Sequence, residues 1–277
     1  MPELPEVEIV VQCLNKLVTG RKIEKAELRR KLLAPDMSPR MFGSRLRGCS
    51  VNFVHRRGKH ILFDLDNGRT LITHLRMSGR FTLLDGDDSD PKFSHAVFHL
   101  ADGERLVFQD TRHFGLMKIV ETAKLSLTTE LSKLAPEPFS DDFNDAYLYE
   151  VLKKSKREIK LVLLDQTKIC GVGNIYASEA LFLSGIDPRT SSHRISKIRA
   201  GALRTAILDV LSETIDLGAN ILLDRTNIGG NTYGVGSDGD WRIYGREKQL
   251  CKRCGEEIRR LVQGGRSTFY CRKCQRR

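Results

Sequence analysis

No stretch of the 277-residue sequence approaches the roughly 20 consecutive apolar residues that a membrane span needs, so no membrane association is expected. A basic-then-apolar leader is also missing. The first residues, Met1 to Val10, are acidic and amphipathic, so no secretion signal is expected and the expected compartment is the cytoplasm. No internal repeat is visible. Acid is scarce in one place: from Arg242 to Arg277 there are 12 Lys or Arg against 3 Glu, a charge of +9, while the other 241 residues carry only +2. A basic tail this concentrated favours a polyanion, nucleic acid first, over a merely solvated tail. The length suits two domains with a small appendage.

Of the seven cysteines, Cys13, Cys49 and Cys170 are scattered and read as ordinary reduced residues. The other four form Cys251-x2-Cys254 and Cys271-x2-Cys274, with 16 residues between the pairs. Each pair can put two thiolates on one cation, and the spacer suits a β-hairpin. Four thiolates make a closed tetrahedral zinc site, so one structural Zn2+ is expected, with no catalytic role. Disulfides suit the cytoplasm poorly, and an iron–sulfur centre fits the pairing less well. A tip with so few apolar residues needs the metal to fold. Its spacer carries Arg259, Arg260 and Arg266, a probe suited to DNA.

The opening Met1-Pro2-Glu3-Leu4-Pro5-Glu6 carries chemistry of its own. If Met1 is removed, the chain begins with a secondary amine that can attack a carbonyl-like carbon. Glu3 and Glu6 stand beside it as proton carriers. On Pro2 alone an ordinary Met-Pro start would be the better reading. The spacing of Val7, Val10, Val11, Leu14, Leu17 and Val18 predicts a helix over Pro5 to Val18, with Gly20 at its end. Such a helix would hold the terminus in place.

From Ile23 to Val120 the pattern is β. Asn67-Gly68 and Asp102-Gly103 sit between alternating runs and predict hairpins within a sandwich or barrel. Leu134 to Asp142 is rich in proline and acid and reads as a linker. Beyond it, helices are predicted over Ala146 to Lys154, Glu158 to Asp165, Asn174 to Leu183, and Ser196 to Leu217, the last ended by Gly218. Asn227 to Gly239 is rich in Gly and Asn and reads as a long loop. Three motifs are individually weak. Cys170-Gly171-Val172-Gly173-Asn174 could be a phosphate site at a helix start or a tight turn. His55 to His60 could present Lys59 to a phosphate or be surface charge. Asp110-Thr111-Arg112-His113-Phe114-Gly115 could carry a wedge for a base stack or a core aromatic.

Taken together, these motifs resemble the formamidopyrimidine-DNA glycosylase family across nearly the whole chain. The resemblance rests on Pro2 to Glu8, Arg57-Gly58-Lys59, His74-Leu75-Arg76-Met77-Ser78-Gly79, Asp110 to Gly115, Leu164-Asp165-Gln166 with Gly171 to Ala177, Tyr244-Gly245-Arg246, the four cysteines, and Gly265 to Tyr270. It implies a multidomain α+β fold: a β-sandwich with a leading helix over 1–133, a linker over 134–142, a helix–two-turn–helix domain over 143–246 and a zinc-finger hairpin over 247–277. It implies a bacterial, nucleoid-associated monomer acting on damaged double-stranded DNA. The implied activity is excision of oxidised purines through a Schiff base, followed by β,δ-elimination. Pro2 would be the nucleophile, Glu3 the proton carrier and Glu6 its assistant. Lys59, His74, Asn174, Tyr244 and Arg266 would contact DNA around the lesion, with Lys59 and Arg266 counted among the catalytic groups. Met77, Arg112 and Phe114 would fill the gap left by a flipped base.

The chain departs from the family pattern at Gly218 to Asp224, where Leu223 stands in place of a common Arg, and at Arg76, where a small residue is usual. The family's endonuclease VIII branch, which prefers oxidised pyrimidines, usually has Gly at the position of Leu4 and lacks the wedge Arg and Phe. A non-catalytic zinc-containing DNA-binding protein would have no use for Pro2, Glu3 and Lys59. A zinc hydrolase would need an open metal position.

Overall fold

A computed structural model describes residues 1–219, 224–228 and 241–277. The chain forms two compact units, Met1–Ser132 with Leu217–Val235, and Lys133–Asp216 with Gly236–Arg277.

The first unit begins with α1, Leu4–Val18, whose buried Val7, Val10, Leu14 and Val18 fall at helical spacing. Two four-stranded antiparallel sheets follow. One holds β1 (Ile23–Leu28), β6 (Ser94–Leu100), β7 (Arg105–Asp110) and β5 (Gly79–Leu84), in that order. The other runs β2 (Val51–Arg57), β3 (His60–Leu65), β4 (Arg69–His74) and β8 (Leu116–Glu121). Asn67-Gly68 turns β3 into β4, with Gly68 at φ +72. Leu, Val, Ile and Phe side chains of both sheets and α1 share one core, in which Phe81 lies 5.6 Å from Phe63 and 5.2 Å from Phe108. The β reading of Ile23 to Val120 missed α2, Pro39–Leu46. Ser38 caps that helix by accepting the Met41 N–H, and Phe42 and Leu46 are buried. That Ser-Pro start was a legible signal.

The second unit holds α3 (Asp145–Lys153), α4 (Ile159–Leu163), α5 (Asn174–Leu183) and most of α6 (Lys197–Ala219). The hairpin of β9 (Arg259–Gln263) and β10 (Arg266–Tyr270) turns through Gly264 and Gly265, both at positive φ. Gly218 does not end α6, which runs to Ala219. The glycine serves packing, because a Cβ there would stand 2.6 Å from Ile9 Cγ1 of α1. After α6 the chain pairs with the edge of β5: Leu83 N–H donates to Arg225 O at 2.7 Å, and Ile228, bridged to Phe81, is buried. The predicted Gly-rich loop lies outside the described residues beyond Ile228, as do residues 220–223 of the altered segment. No helix among the described residues is long and apolar enough to cross a membrane.

Candidate active site and nucleic-acid contacts

In the first unit Pro2, Glu3 and Glu6 are buried at the head of α1, as is Lys59, which follows Gly58 in the β2–β3 turn. Glu3 is the residue before the helix, and its N–H donates to Glu6 Oε2 at 2.7 Å. Glu6 thereby fixes the backbone that carries Glu3, a capping interaction as well as a charge. The amine in the structure belongs to Met1. Burial pushes its pKa below the ordinary value; Glu3 and Glu6 pull it up, while Lys59 and Arg112 add to the lowering. An amine at this place is therefore set toward its neutral, nucleophilic form.

His74 lies edge-on to His60, ring centroids 4.7 Å apart, and its Nδ1 accepts the Arg76 N–H at 3.0 Å. Burial, then the charges of His60, Arg76 and Lys59, lower its pKa to about 2, so it is a neutral imidazole at physiological pH. His60 is lowered to about 4, chiefly by burial. Arg76 has φ +53, a left-handed backbone that non-glycine residues seldom hold.

Met77, Arg112 and Phe114 sit on two loops joined by one buried carboxylate, Asp110, to which its motif alone assigns no role. Asp110, at the end of β7, takes a short hydrogen bond from Ser78 Oγ, accepts Arg112 N–H at 3.2 Å and accepts Gly115 N–H at 2.6 Å. Ser78 Oγ also accepts Arg112 N–H at 3.0 Å. Ser78 is next to Met77, so Met77, Arg112 and Phe114 are mounted on one hydrogen-bonded frame. Met77 and Phe114 are 39% and 54% exposed. Arg112 lies over the Phe114 ring at 5.4 Å.

In the second unit Asn174 is the first residue of α5, and its Nδ2 donates to Ser267 O at 3.0 Å. The Gly171 turn before it is pinned by Gln166, whose Oε1 accepts Gly171 N–H at 3.0 Å and whose Nε2 donates to Val172 O at 2.8 Å. Tyr244 packs edge-on to Phe269, ring centroids 5.2 Å apart. Two buried groups absent from the sequence reading organise this region. Lys160, fully buried, donates to Ser178 Oγ, Ser267 O and Thr268 Oγ1 at 3.1, 3.1 and 2.8 Å, tying α4 and α5 to the hairpin beside Arg266. Glu179, also fully buried, accepts the N–H groups of Arg242, Ile243 and Tyr244, each at 2.9 Å. Burial raises its pKa, against the three amide bonds that lower it. A charged residue inside an apolar helix was the available signal for both.

The four hairpin cysteines converge, with their sulfurs all within 4.8 Å of one another. Cys251 and Cys274 lie 3.9 Å apart and Cys254 and Cys271 3.5 Å. Tetrahedral Zn–S bonds of about 2.3 Å put sulfurs about 3.8 Å apart, so the cluster fits one zinc ion and leaves no open coordination position.

Three family profiles match the chain. Residues 1–117 match the formamidopyrimidine-DNA glycosylase N-terminal domain, 134–226 the H2TH domain of the same proteins, and 248–277 the zinc finger found in FPG and IleRS. A formamidopyrimidine-DNA glycosylase from Roseobacter denitrificans is 42% identical over all of both chains, and one from Bacillus subtilis 37% identical over 99% of each. The Lactococcus lactis Fpg in complex with abasic-site DNA superposes with a TM-score of 0.91 at 31% identity, over 99% of this chain and 100% of that one. The same Lactococcus protein solved with DNA containing an oxidised pyrimidine gives a TM-score of 0.90 at 32% identity, over 100% of both chains.

Proposed function

We infer the reaction from two premises: the chain belongs to the formamidopyrimidine-DNA glycosylase family, and the head of α1 is a buried terminus flanked by Glu3, Glu6 and Lys59. The second premise carries the mechanistic reading. The protein is a bifunctional DNA glycosylase and abasic-site lyase of base excision repair. It excises oxidised purines, 8-oxoguanine and formamidopyrimidines, from double-stranded DNA as a cytoplasmic monomer.

Removal of Met1 turns the Pro2 nitrogen into a secondary amine. That nitrogen attacks C1′ of the extruded nucleotide. An N–C1′ bond forms, the glycosidic bond breaks, and the base leaves with the bonding pair and takes up a proton. Glu3 carries the protons as the sugar ring opens to the iminium, and Glu6 holds Glu3 in register. The iminium acidifies the C2′ proton; its loss expels the 3′ phosphate, and a second elimination expels the 5′ phosphate. Burial, with Lys59 adding to it, keeps the amine neutral; Lys59, Asn174, Tyr244 and Arg266 hold the phosphates, and His74 contacts the DNA beside them. Met77, Arg112 and Phe114 occupy the gap in the stack. Cys251, Cys254, Cys271 and Cys274 would hold one zinc ion, which would cross-link the hairpin that presents Arg266.

Borohydride should trap a covalent complex with duplex DNA carrying an oxidised guanine. Pro2→Gly, or protein retaining Met1, should lose it. Undiminished trapping in either form would remove Pro2 as the nucleophile. A cleavage panel of oxidised purines and pyrimidines opposite each base decides the lesion range. Preference for pyrimidines would favour the second reading, an endonuclease VIII-like specificity, which gains weight from the oxidised-pyrimidine complex of the Lactococcus relative.

A further inference from the structure

The turn between β7 and β8 carries Arg112 and Phe114 on either side of His113. His113 has φ +63, and Phe93, which leads into β6, has φ +65. Non-glycine residues seldom hold this conformation unless something fixes them. Here the two meet: the Phe93 and His113 rings lie edge-on with centroids 5.7 Å apart. His113 Nδ1 lies 2.8 Å from Nε2 of His95, and the two imidazole centroids are 4.9 Å apart. His95 is buried on β6, only 7% exposed. Asp110 secures the flanks of the turn through Arg112 N–H and Gly115 N–H. At residue 113 itself the backbone N–H donates to Asp110 O at 3.3 Å, and the imidazole meets both His95 and the Phe93 ring.

We propose that His113 is a positioning residue for the wedge, its hydrogen bond to buried His95 holding the left-handed turn that presents Arg112 and Phe114 to the DNA base stack. This rests on the repair reading above, in which those two side chains fill the gap left by the flipped base.

The bond has a built-in condition. Between two imidazole nitrogens one must donate and the other accept, so the pair closes only while at least one ring is neutral. Burial lowers the pKa of His95; contact with the Asp110 backbone and carboxylate opposes this, while His113 and Arg30 add to the lowering. His95 is thus neutral near neutral pH, which lets the pair close. Protonation of both rings puts two N–H groups face to face and breaks the bond, and because burial holds His95 below the ordinary histidine value this takes a pH well under about 6.5.

The test uses full-length protein and duplex DNA with an oxidised guanine, 2-aminopurine being placed in the partner strand beside the orphaned base to report wedge insertion. Abasic single-stranded DNA, which needs no base extrusion, serves as the control for Pro2 chemistry. His113→Ala should lower the 2-aminopurine response and slow duplex excision about fivefold, the worth of one hydrogen bond, while trapping on the single strand stays within about twofold. His113→Asn tolerates the left-handed backbone but is too short to reach His95, so it should behave like His113→Ala. Wild-type insertion should hold from about pH 7.5 to about pH 6 and decline towards about pH 4.5, and both variants should lack that decline. Wild-type insertion in His113→Asn, or a wild-type pH profile in His113→Ala, would overturn the proposal. If wild-type protein traps neither substrate, the Pro2 reading fails, and the insertion signal still decides the role of His113.

Discussion

Replacing Gly218 by alanine should destabilise this protein, although the same change in an exposed helix interior gains about 1 kcal/mol. Gly218 lies inside the last turn of α6. A Cβ there would overlap Ile9 Cδ1 and stand 2.6 Å from Cγ1 and 3.7 Å from Cβ. Ile9 belongs to α1 and is only 3% exposed, so it has little room to retreat. A χ2 rotation moves Cδ1 but leaves Cγ1 in place, so one of the two helices must give way. Overpacking of this kind costs about 1–3 kcal/mol, and the propensity gain is small near a helix end, so the net loss should be about 1–2 kcal/mol. Truncating Ile9 to alanine costs about 2–5 kcal/mol alone, but it removes both offending carbons and leaves an ordinary contact at Cβ. In that background Gly218→Ala should therefore be neutral or stabilising. Urea unfolding of the four proteins of this cycle gives the coupling, expected at about 2 kcal/mol. Since α1 carries Pro2 and Glu3, the single variant should also trap DNA more slowly. An additive cycle, or a Gly218→Ala protein more stable than its parent, would refute the packing argument.

Cys251→Ser should abolish stoichiometric zinc, measured by atomic absorption, and weaken binding to abasic duplex DNA at least about tenfold, because a four-thiolate site supplies the folding energy of its hairpin. Unchanged metal content and affinity would reject that. A second expectation concerns acid. His60 and His74 have folded pKa values lowered to about 4 and about 2, below the unfolded value of about 6.5. Their contribution is complete above about pH 6.5 and drains as pH falls through the folded values, since the unfolded chain binds the extra protons. His60→Leu should lose less stability than wild type between about pH 7.5 and about pH 4.5, by on the order of 2 kcal/mol, and equal losses would remove His60 as a cause.

Local signals made the frame legible. Asn67-Gly68 needs a left-handed residue between two apolar runs, and Gly68 at φ +72 is that residue. The i, i+3, i+4 spacing of Val7 to Val18 corresponds to the buried face of α1, with the helix starting one residue earlier than predicted, at Leu4. Helix α2 was missed because eight residues within a β-patterned region carry too short a period to stand out, although Ser38 and Pro39 mark its start. Gly218 misled for a different reason. A glycine near a helix end reads as a stop, whereas this one answers to Ile9, 209 residues away in sequence.

The site divides along the same line between near and far. The side chains nominated for DNA, among them Met77, Arg112 and Phe114, lie in compact motifs because neighbouring exposed residues on one turn can share a task. The groups that hold them do not. Asp110 reaches back 32 residues to Ser78, Lys160 forward 108 to Thr268, and Glu179 forward 65 to Tyr244. A buried charge is costly unless its hydrogen bonds are satisfied, and in a fold this size the partners come from other elements. In this molecule an isolated Asp, Lys or Glu in an apolar stretch is thus a sign that the fold brings something to it. Asp110, Lys160 and Glu179 each stand behind a residue proposed to meet DNA, and His95 stands behind His113 by the same logic. The motifs nominate the side chains for DNA contact; the buried polar residues between them determine how rigidly those side chains are held.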